Sequence, residues 1–204
     1  KIIICGSPRH DNFFKLSSTT ITSKEKIILL CPRPIVEAAA RHHTRMYIKY
    51  EYNLRKIISE LNKIKNCKLI VKIHPGNIDH NNLIKNIVNE INPNIIVFHT
   101  KSIRELIIQS NLVLVLSPDG FDPSTVILES IILKKPIINF ILDEKFYNFS
   151  FDQHNAVISI TENDDVKKII LNIFDEVKFR NNLISNGKIF LNDYLSDHQN
   201  AAKT

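Results

Sequence analysis

The most constraining feature of this chain is a run of short, uninterrupted apolar segments set between longer amphipathic ones. "KIIIC" (1–5), "KIILLC" (26–31), "KLIVKI" (68–73), "NIIVF" (94–98), "LVLVL" (112–116), "PIINFI" (136–141) and "AVISI" (156–160) are rich in Ile and Val. They show no alternation of polar and apolar residues, so each suits a strand covered on both faces. Between them apolar residues recur at three- and four-residue steps: Tyr50, Leu54, Ile57, Ile58, Leu61 and Ile64 within 47–64, then Leu83, Ile84, Ile87, Val88 and Ile91. That spacing predicts helices over 47–64 and 83–91. Further helices are predicted over 103–109 with Ser102 as cap, and over 126–133, 164–177 and 179–195. Strand and helix alternate, and the fold class that follows is α/β: a doubly wound, mostly parallel, Rossmann-like sheet flanked by helices.

One domain over 1–204 accounts for the pattern, with 1–25 as an entry or hinge segment. "DNFFKLSSTTITSKEK" (11–26) is polar and Ser/Thr-rich and is read as a loop. The chain opens directly on an apolar run, without Met and without a stretch long enough for a signal peptide. It is therefore read as a piece of a longer protein, in the cytoplasm. No apolar run reaches the length of a membrane span. Cys5, Cys31 and Cys67 are odd in number and form no CxxC pair, which indicates neither a disulfide framework nor a zinc site. They are read as reduced, largely buried thiols.

The formal charge is +6. That balance favours an anionic ligand, a membrane surface or nucleic acid without choosing among them. "RHHTRMYIKYEYNLRK" (41–56) concentrates part of it, either as a solvated helix face or as a peripheral contact with the inner face of a membrane. No RNP, KH, zinc-finger or P-loop pattern supports nucleic acid.

In a parallel sheet ligands bind beyond the carboxyl ends of the strands. "SPDGFDPST" (117–125) leaves such an end and leads into a helix. Ser124 or Asp122 can cap that helix, and Pro123 is tolerated in its first turn. The N–H groups of Ser124, Thr125 and Val126 would then point outward with the helix dipole behind them, an arrangement suited to phosphate. The hydroxyls of Ser117, Ser124 and Thr125 add donors, and Gly120 lets the backbone approach a ligand. A well-capped turn without a ligand accounts for the same residues equally well. "VKIHPG" (71–76) ends another strand and brings His74 and Pro75 to the same edge. "GSPRHD" (6–11) brings Arg9, a natural phosphate partner.

Taken together these pieces resemble the C-terminal half of GT-B-fold glycosyltransferases. "GSPRHD" is similar to the Gly-x-Pro-Arg-x-Asp of CDP-glycerol glycerophosphotransferases and related capsule and teichoic-acid polymerases. "KIHPG" is similar to their Lys-x-His-Pro. "STVILESIILKKPIIN" is similar to the Ser/Thr…Glu-Ala-x-x-x-Gly-x-Pro-Val-Ile segment shared with UDP-N-acetylglucosamine 2-epimerases. The resemblance implies a nucleotide-activated donor, CDP-, CMP- or UDP-linked, carrying a sugar or polyol phosphate. It implies a polymer or lipid-linked acceptor and a preceding N-terminal domain. It assigns His74 to a donor phosphate as the catalytic contact, Ser124 and Thr125 to the pyrophosphate and Glu129 to the ribose hydroxyls, with no cofactor and no metal required. Two departures stand out. Lys134 occupies the position of the glycine, and Asp119 and Asp122 would repel a phosphate unless a cation or Arg intervenes. The Gly-Gly…Glu-Glu pattern of the epimerases is absent, which leaves that activity as an alternative. A non-enzymatic basic module is the other.

Overall fold

The structure is a computed structural model that describes residues 8–16, 25–35, 44–118, 124–142 and 149–195. In chain order its elements are α1 (Pro8–Leu16), β1 (Lys26–Pro32), α2 (Thr44–Asn62), β2 (Cys67–Lys72), α3 (Ile78–Ile91), β3 (Ile96–Phe98) and α4 (Ile103–Gln109). There follow β4 (Leu112–Ser117), α5 (Thr125–Ile132), β5 (Ile137–Ile141), α6 (Ser150–Gln153), β6 (Ile158–Ile160), α7 (Val166–Asp175) and α8 (Val177–Tyr194).

All six strands are parallel, in the order β3-β2-β1-β4-β5-β6. Leu30 is in register with Val71 on one side and with Leu114 on the other. The strand order reverses between β1 and β4, so their carboxyl ends form the switch point of a doubly wound sheet. The apolar runs explain the architecture. Every residue of β4 and β5 is buried. Alternate residues serve two separate cores. Ile28, Leu30, Val71, Leu114 and Phe140 face α2, α3 and α7. Leu29, Cys31, Ile70, Val113 and Ile137 face α1, α4, α5, α6 and the C-terminal part of α8. A strand with apolar side chains on both faces can only lie between two helix layers.

Element types follow the sequence expectation closely, and the differences have local causes. Residues 11–16, read as part of a loop, belong to α1. Asp11 sits in its first turn, where a carboxylate complements the dipole, and Phe13 is buried in the second core. Lys26 already belongs to β1, and 17–24 lie outside the described residues, as do the expected strand 1–5, Gly120 and the two loop aspartates. Helix α3 starts at Ile78 rather than 83, because the Asn77 side chain accepts from the His80 N–H at 3.1 Å and closes the first turn. Its polar opening, "IDHNN", carries no apolar period. Ser102 and Ser124 occupy the N-cap positions of α4 and α5, but neither hydroxyl makes a cap bond among the described residues. The short α6 gave no periodic signal.

Lys134 has a φ of 55°, the left-handed region, and follows the last turn of α5. The Lys134 and Lys135 N–H groups close that turn onto the carbonyls of Ile131 and Ser130, both at 3.0 Å. The Lys135 ammonium donates to the carbonyls of Ile108 and Ser110, both at 2.8 Å, and so ties α5 to the end of α4.

Candidate functional site

Two groups of side chains gather at the carboxyl edge, on either side of the end of β1. The first is built on β2 and α3. After β2 the chain turns through His74, Pro75 and Gly76, all exposed. The Gly76 N–H donates to His74 Nδ1 at 3.1 Å. Asn81, buried in the first turn of α3, donates from Nδ2 to the His74 carbonyl at 2.8 Å and to the Gly76 carbonyl at 3.3 Å. His99 Nε2 lies 3.2 Å from the Pro75 carbonyl. The Lys72 ammonium donates to the carbonyls of Ile73 and His99 at 2.8 and 2.7 Å. Beneath this loop His80 Nε2 and the Tyr50 hydroxyl lie 3.0 Å apart in a buried pair. Burial, with the neighbouring His74, lowers the His80 pKa to about 4 against a backbone hydrogen bond at Arg33. Burial likewise pushes the Tyr50 hydroxyl well above its ordinary range.

The second group is built on α1 and α5. Arg9 projects from α1 with 62% of its side chain exposed. It reaches back to Glu129 Oε1 at 3.2 Å and to Thr125 Oγ1 at 3.4 Å. Glu129 stands one turn below Thr125, 2% exposed, and its Oε2 has no hydrogen-bond partner among the described residues. Burial raises its pKa, with Arg9 acting in the opposite direction. Glu129 and Lys72 both act electrostatically on the Cys31 thiol, which burial pushes up to about 12. The last residues of β1 thus lie between the two groups.

The sequence-predicted residues divide as follows. Arg9, Thr125 and Glu129 are brought together by direct bonds. Ser124 is buried at the N-cap of α5 beside them, and its carbonyl accepts from the Ile127 N–H at 2.9 Å. His74 and Pro75 stand at the end of β2, one strand beyond β1, on the same edge. Ser117 is buried; its hydroxyl donates to Asn139 Oδ1 at 2.7 Å, a tie between β4 and β5. Gly120 lies outside the described residues. Sequence reasoning missed Asn81, His80, Tyr50 and Lys72 as supports of the His74 loop. Lys72 had a signal in Lys-x-His-Pro, whereas Asn81 had none.

The arrangement presents Arg9, His74 and the start of α5 to solvent above a buried carboxylate. Donors at the rim suit an anion, and a buried acceptor suits hydroxyl groups. Among the described residues no cluster of His, Cys, Asp and Glu could hold a metal ion, and no helix is long and apolar enough to cross a membrane. A cavity of about 420 Å³ between α1, α5 and α8, lined by Phe14, Ile131, Lys134 and Lys188, opens at the other end of α5. It belongs to the packing of those helices and not to the carboxyl edge.

No protein-family model and no curated protein sequence matches the chain. Solved structures do share its fold. The C-terminal domain of the Francisella tularensis glycosyl transferase group 1 family protein LpcC aligns over 94% of this chain and 95% of its own length, with a TM-score of 0.53 and 13% identity. The wall teichoic acid polymerase TagF aligns over 99% of this chain and 50% of its own, with a TM-score of 0.55 and 16% identity. Anabaena HepE, solved with UDP and glucose, aligns over 91% and 48%, with a TM-score of 0.58 and 12% identity. The chain thus spans one whole isolated domain and about half of these two longer proteins. By fold it is a Rossmann-like α/β domain, the fold that it shares with the LpcC C-terminal domain and with parts of TagF and HepE.

Proposed function

We propose that the carboxyl edge of this sheet binds the nucleoside diphosphate of an activated donor, as the donor half of a glycosyl- or polyol-phosphate transferase. The observation that carries the reading is Glu129. A buried carboxylate with one oxygen unpartnered costs stability unless something else occupies it. It lies one turn inside the helix that starts at the switch point, which suits ribose hydroxyls below a pyrophosphate held at the helix N-terminus. Thr125, Arg9 and the N–H groups of the first turn of α5 would hold the phosphates. His74 would donate to the phosphate nearest the transferred group and stabilise the leaving nucleotide, so that its part is electrostatic. The base, the transferred group and the acceptor would be selected with a second domain that completes the cleft. A capsule or teichoic-acid-like polymer as acceptor, and a cytoplasmic site at the inner membrane face, belong to the same reading. The exposed Tyr47, Ile48 and Tyr52 on α2 suit the membrane contact.

The test is a titration of the isotopically labelled chain with UDP, CDP, UMP and CMP, followed by NMR. Half a cleft should bind in the micromolar to millimolar range, about −4 to −8 kcal/mol, with shifts at His74, Thr125 and Glu129. Absence of shifts there at millimolar nucleotide, with salt-sensitive binding to polynucleotide instead, would refute the reading.

A further inference from the structure

We infer that Asn81 is a positioning residue, which fixes the loop after β2 so that His74 presents its Nε2–H outward as a donor. The inference deepens the nucleotide-binding reading, but its first arm does not depend on it.

The argument starts from hydrogen-bond chemistry. His74 Nδ1 lies 3.1 Å from the Gly76 N–H and 3.4 Å from the Gly76 carbonyl; a backbone N–H can only donate, and this shorter contact makes Nδ1 an acceptor. The proton of the neutral ring then sits on Nε2, and the loop itself selects the tautomer. That selection holds only while the Gly76 N–H stays against Nδ1, and among the described residues Gly76 has no secondary-structure partner to keep it there. Asn81 supplies the restraint. Its Nδ2 spans the carbonyls of His74 and Gly76, the two ends of the Nδ1 contact. The amide cannot be turned over, because Oδ1 would then face two carbonyl oxygens. Asn81 is itself fixed: it is 4% exposed, and its own N–H bonds the Asn77 carbonyl at 3.1 Å in the first turn of α3. Asn77 opens that turn with a φ of 69°, a left-handed conformation that Asn tolerates. A rigid helix thus sets the position of an exposed loop and the proton of its histidine. The consequence is an Nε2–H donor held at the exposed carboxyl edge, with no contribution from the Asn81 side chain to the ligand itself.

The first arm of the test uses no ligand. Long-range proton–nitrogen correlation of the His74 imidazole, in alkaline solution, reads the tautomer directly. The expected result is a pyrrole-type nitrogen at Nε2 in the parent chain, with an Nδ1–H population appearing in Asn81→Ala. A predominant Nδ1–H form in the parent, or an unchanged tautomer in folded Asn81→Ala, overturns the inference. If Asn81→Ala does not fold, Gly76→Pro, which deletes the donor, replaces it. Gly76→Ala keeps the donor and is its control, since the added methyl would meet the ring at an ordinary 3.6 Å. The second arm titrates inorganic pyrophosphate. Asn81→Ala should weaken it about threefold to tenfold, the size of one displaced hydrogen bond. The His74→Ala/Asn81→Ala pair should be no weaker than His74→Ala alone, as required if Asn81 acts only through His74. Additive losses in that cycle would overturn the inference. If the tautomer results hold and pyrophosphate binds none of these proteins, the nucleotide reading fails while the positioning role stands.

Discussion

Glu129→Gln separates a ligand-binding carboxylate from a structural one. Among the described residues the Glu129 carboxylate makes one bond, Oε1 to Arg9 at 3.2 Å, and Oε2 has no partner. Arg9 is mostly solvated, so that pair contributes no more than about 1 kcal/mol. Against it stands the desolvation of a charge, which raises the Glu129 pKa. Gln keeps the shape and an acceptor for Arg9 and removes the charge. It leaves an unpartnered NH₂ in place of Oε2, a smaller cost than an unpartnered half of a carboxylate. The variant should therefore match the parent or exceed it by about 1 kcal/mol at pH 7, a rise of roughly 2–4 °C in Tm for a chain of this size. The sign with pH follows. A carboxyl whose folded pKa is raised destabilises the fold above that pKa and ceases to do so below its ordinary value. The advantage of Gln should therefore be full at neutral pH and fade as the solution is acidified.

Binding should move the other way. If the carboxylate accepts from two ribose hydroxyls, each bond loses its charge-assisted part, about 1 kcal/mol apiece. UDP and CDP affinity should then fall about tenfold to a hundredfold, while inorganic pyrophosphate, which has no ribose, should bind as before. Thermal melts of parent and variant, with calorimetric titration of a nucleotide and of pyrophosphate, measure all three quantities. An equal loss for pyrophosphate would mean that Glu129 only shapes the start of α5. A loss of about 2 kcal/mol or more of stability would mean that the Arg9–Glu129 pair holds α1 to α5, and the reasoning from the unpartnered oxygen would be refuted.

Two further outcomes follow from the packing around the site. His80 falls from an ordinary 6.5 to about 4 by burial, so its stabilising neutral form is fully present above 6.5 and is lost as pH falls towards 4. The ceiling is about 3 kcal/mol, with about 2 expected after screening. Urea unfolding at pH 7 and at pH 4.5 should show this excess acid loss in the parent but not in His80→Gln, and equal losses would refute it. Lys134→Gly should stabilise the chain by about 1 kcal/mol, because the residue sits at a φ of 55° where a side chain is strained. A destabilised variant in chemical denaturation would show that the Lys134 side chain contributes more than its backbone conformation costs.

Much of the fold was legible because both faces of the sheet are covered. A run such as "LVLVL" can satisfy itself only between two helix layers, and the helices declare themselves by the stripe that they bury. What was not legible obeys other rules. The polar start of α3 is set by the Asn77 side chain and not by apolar period. Residues 11–16 belong to α1, whose Phe13 is buried in the second core with Phe14 and Leu16 packed against it, too short an apolar set to show a stripe. In the candidate site, the placement of Arg9, Thr125 and Glu129 at one edge was legible because each lies in a motif, "GSPRHD" or "STVILES", next to a loop of that edge. Asn81 was not, since its role depends on carbonyls five and seven residues away that only the folded turn brings within reach.

Lys134 connects these two kinds of information. Its position corresponds to a glycine in the glycosyltransferase pattern that "STVILESIILKKPIIN" resembles, and a substitution there could have signalled a different backbone. Here the backbone is left-handed at Lys134, and the strain of a side chain at that φ is accepted. Two things make it tolerable. The turn satisfies two N–H groups on the carbonyls of Ile131 and Ser130, and the next residue, Lys135, ties the turn to the end of α4 through two carbonyls. The turn is therefore over-determined by its neighbours, and it orients α5 whichever residue occupies the position. The orientation of α5 is what places Thr125 at the edge and Glu129 beneath it. Hydrogen bonds thus hold the turn at the far end of α5, and with it the geometry of the candidate site, although a lysine stands at a φ of 55°.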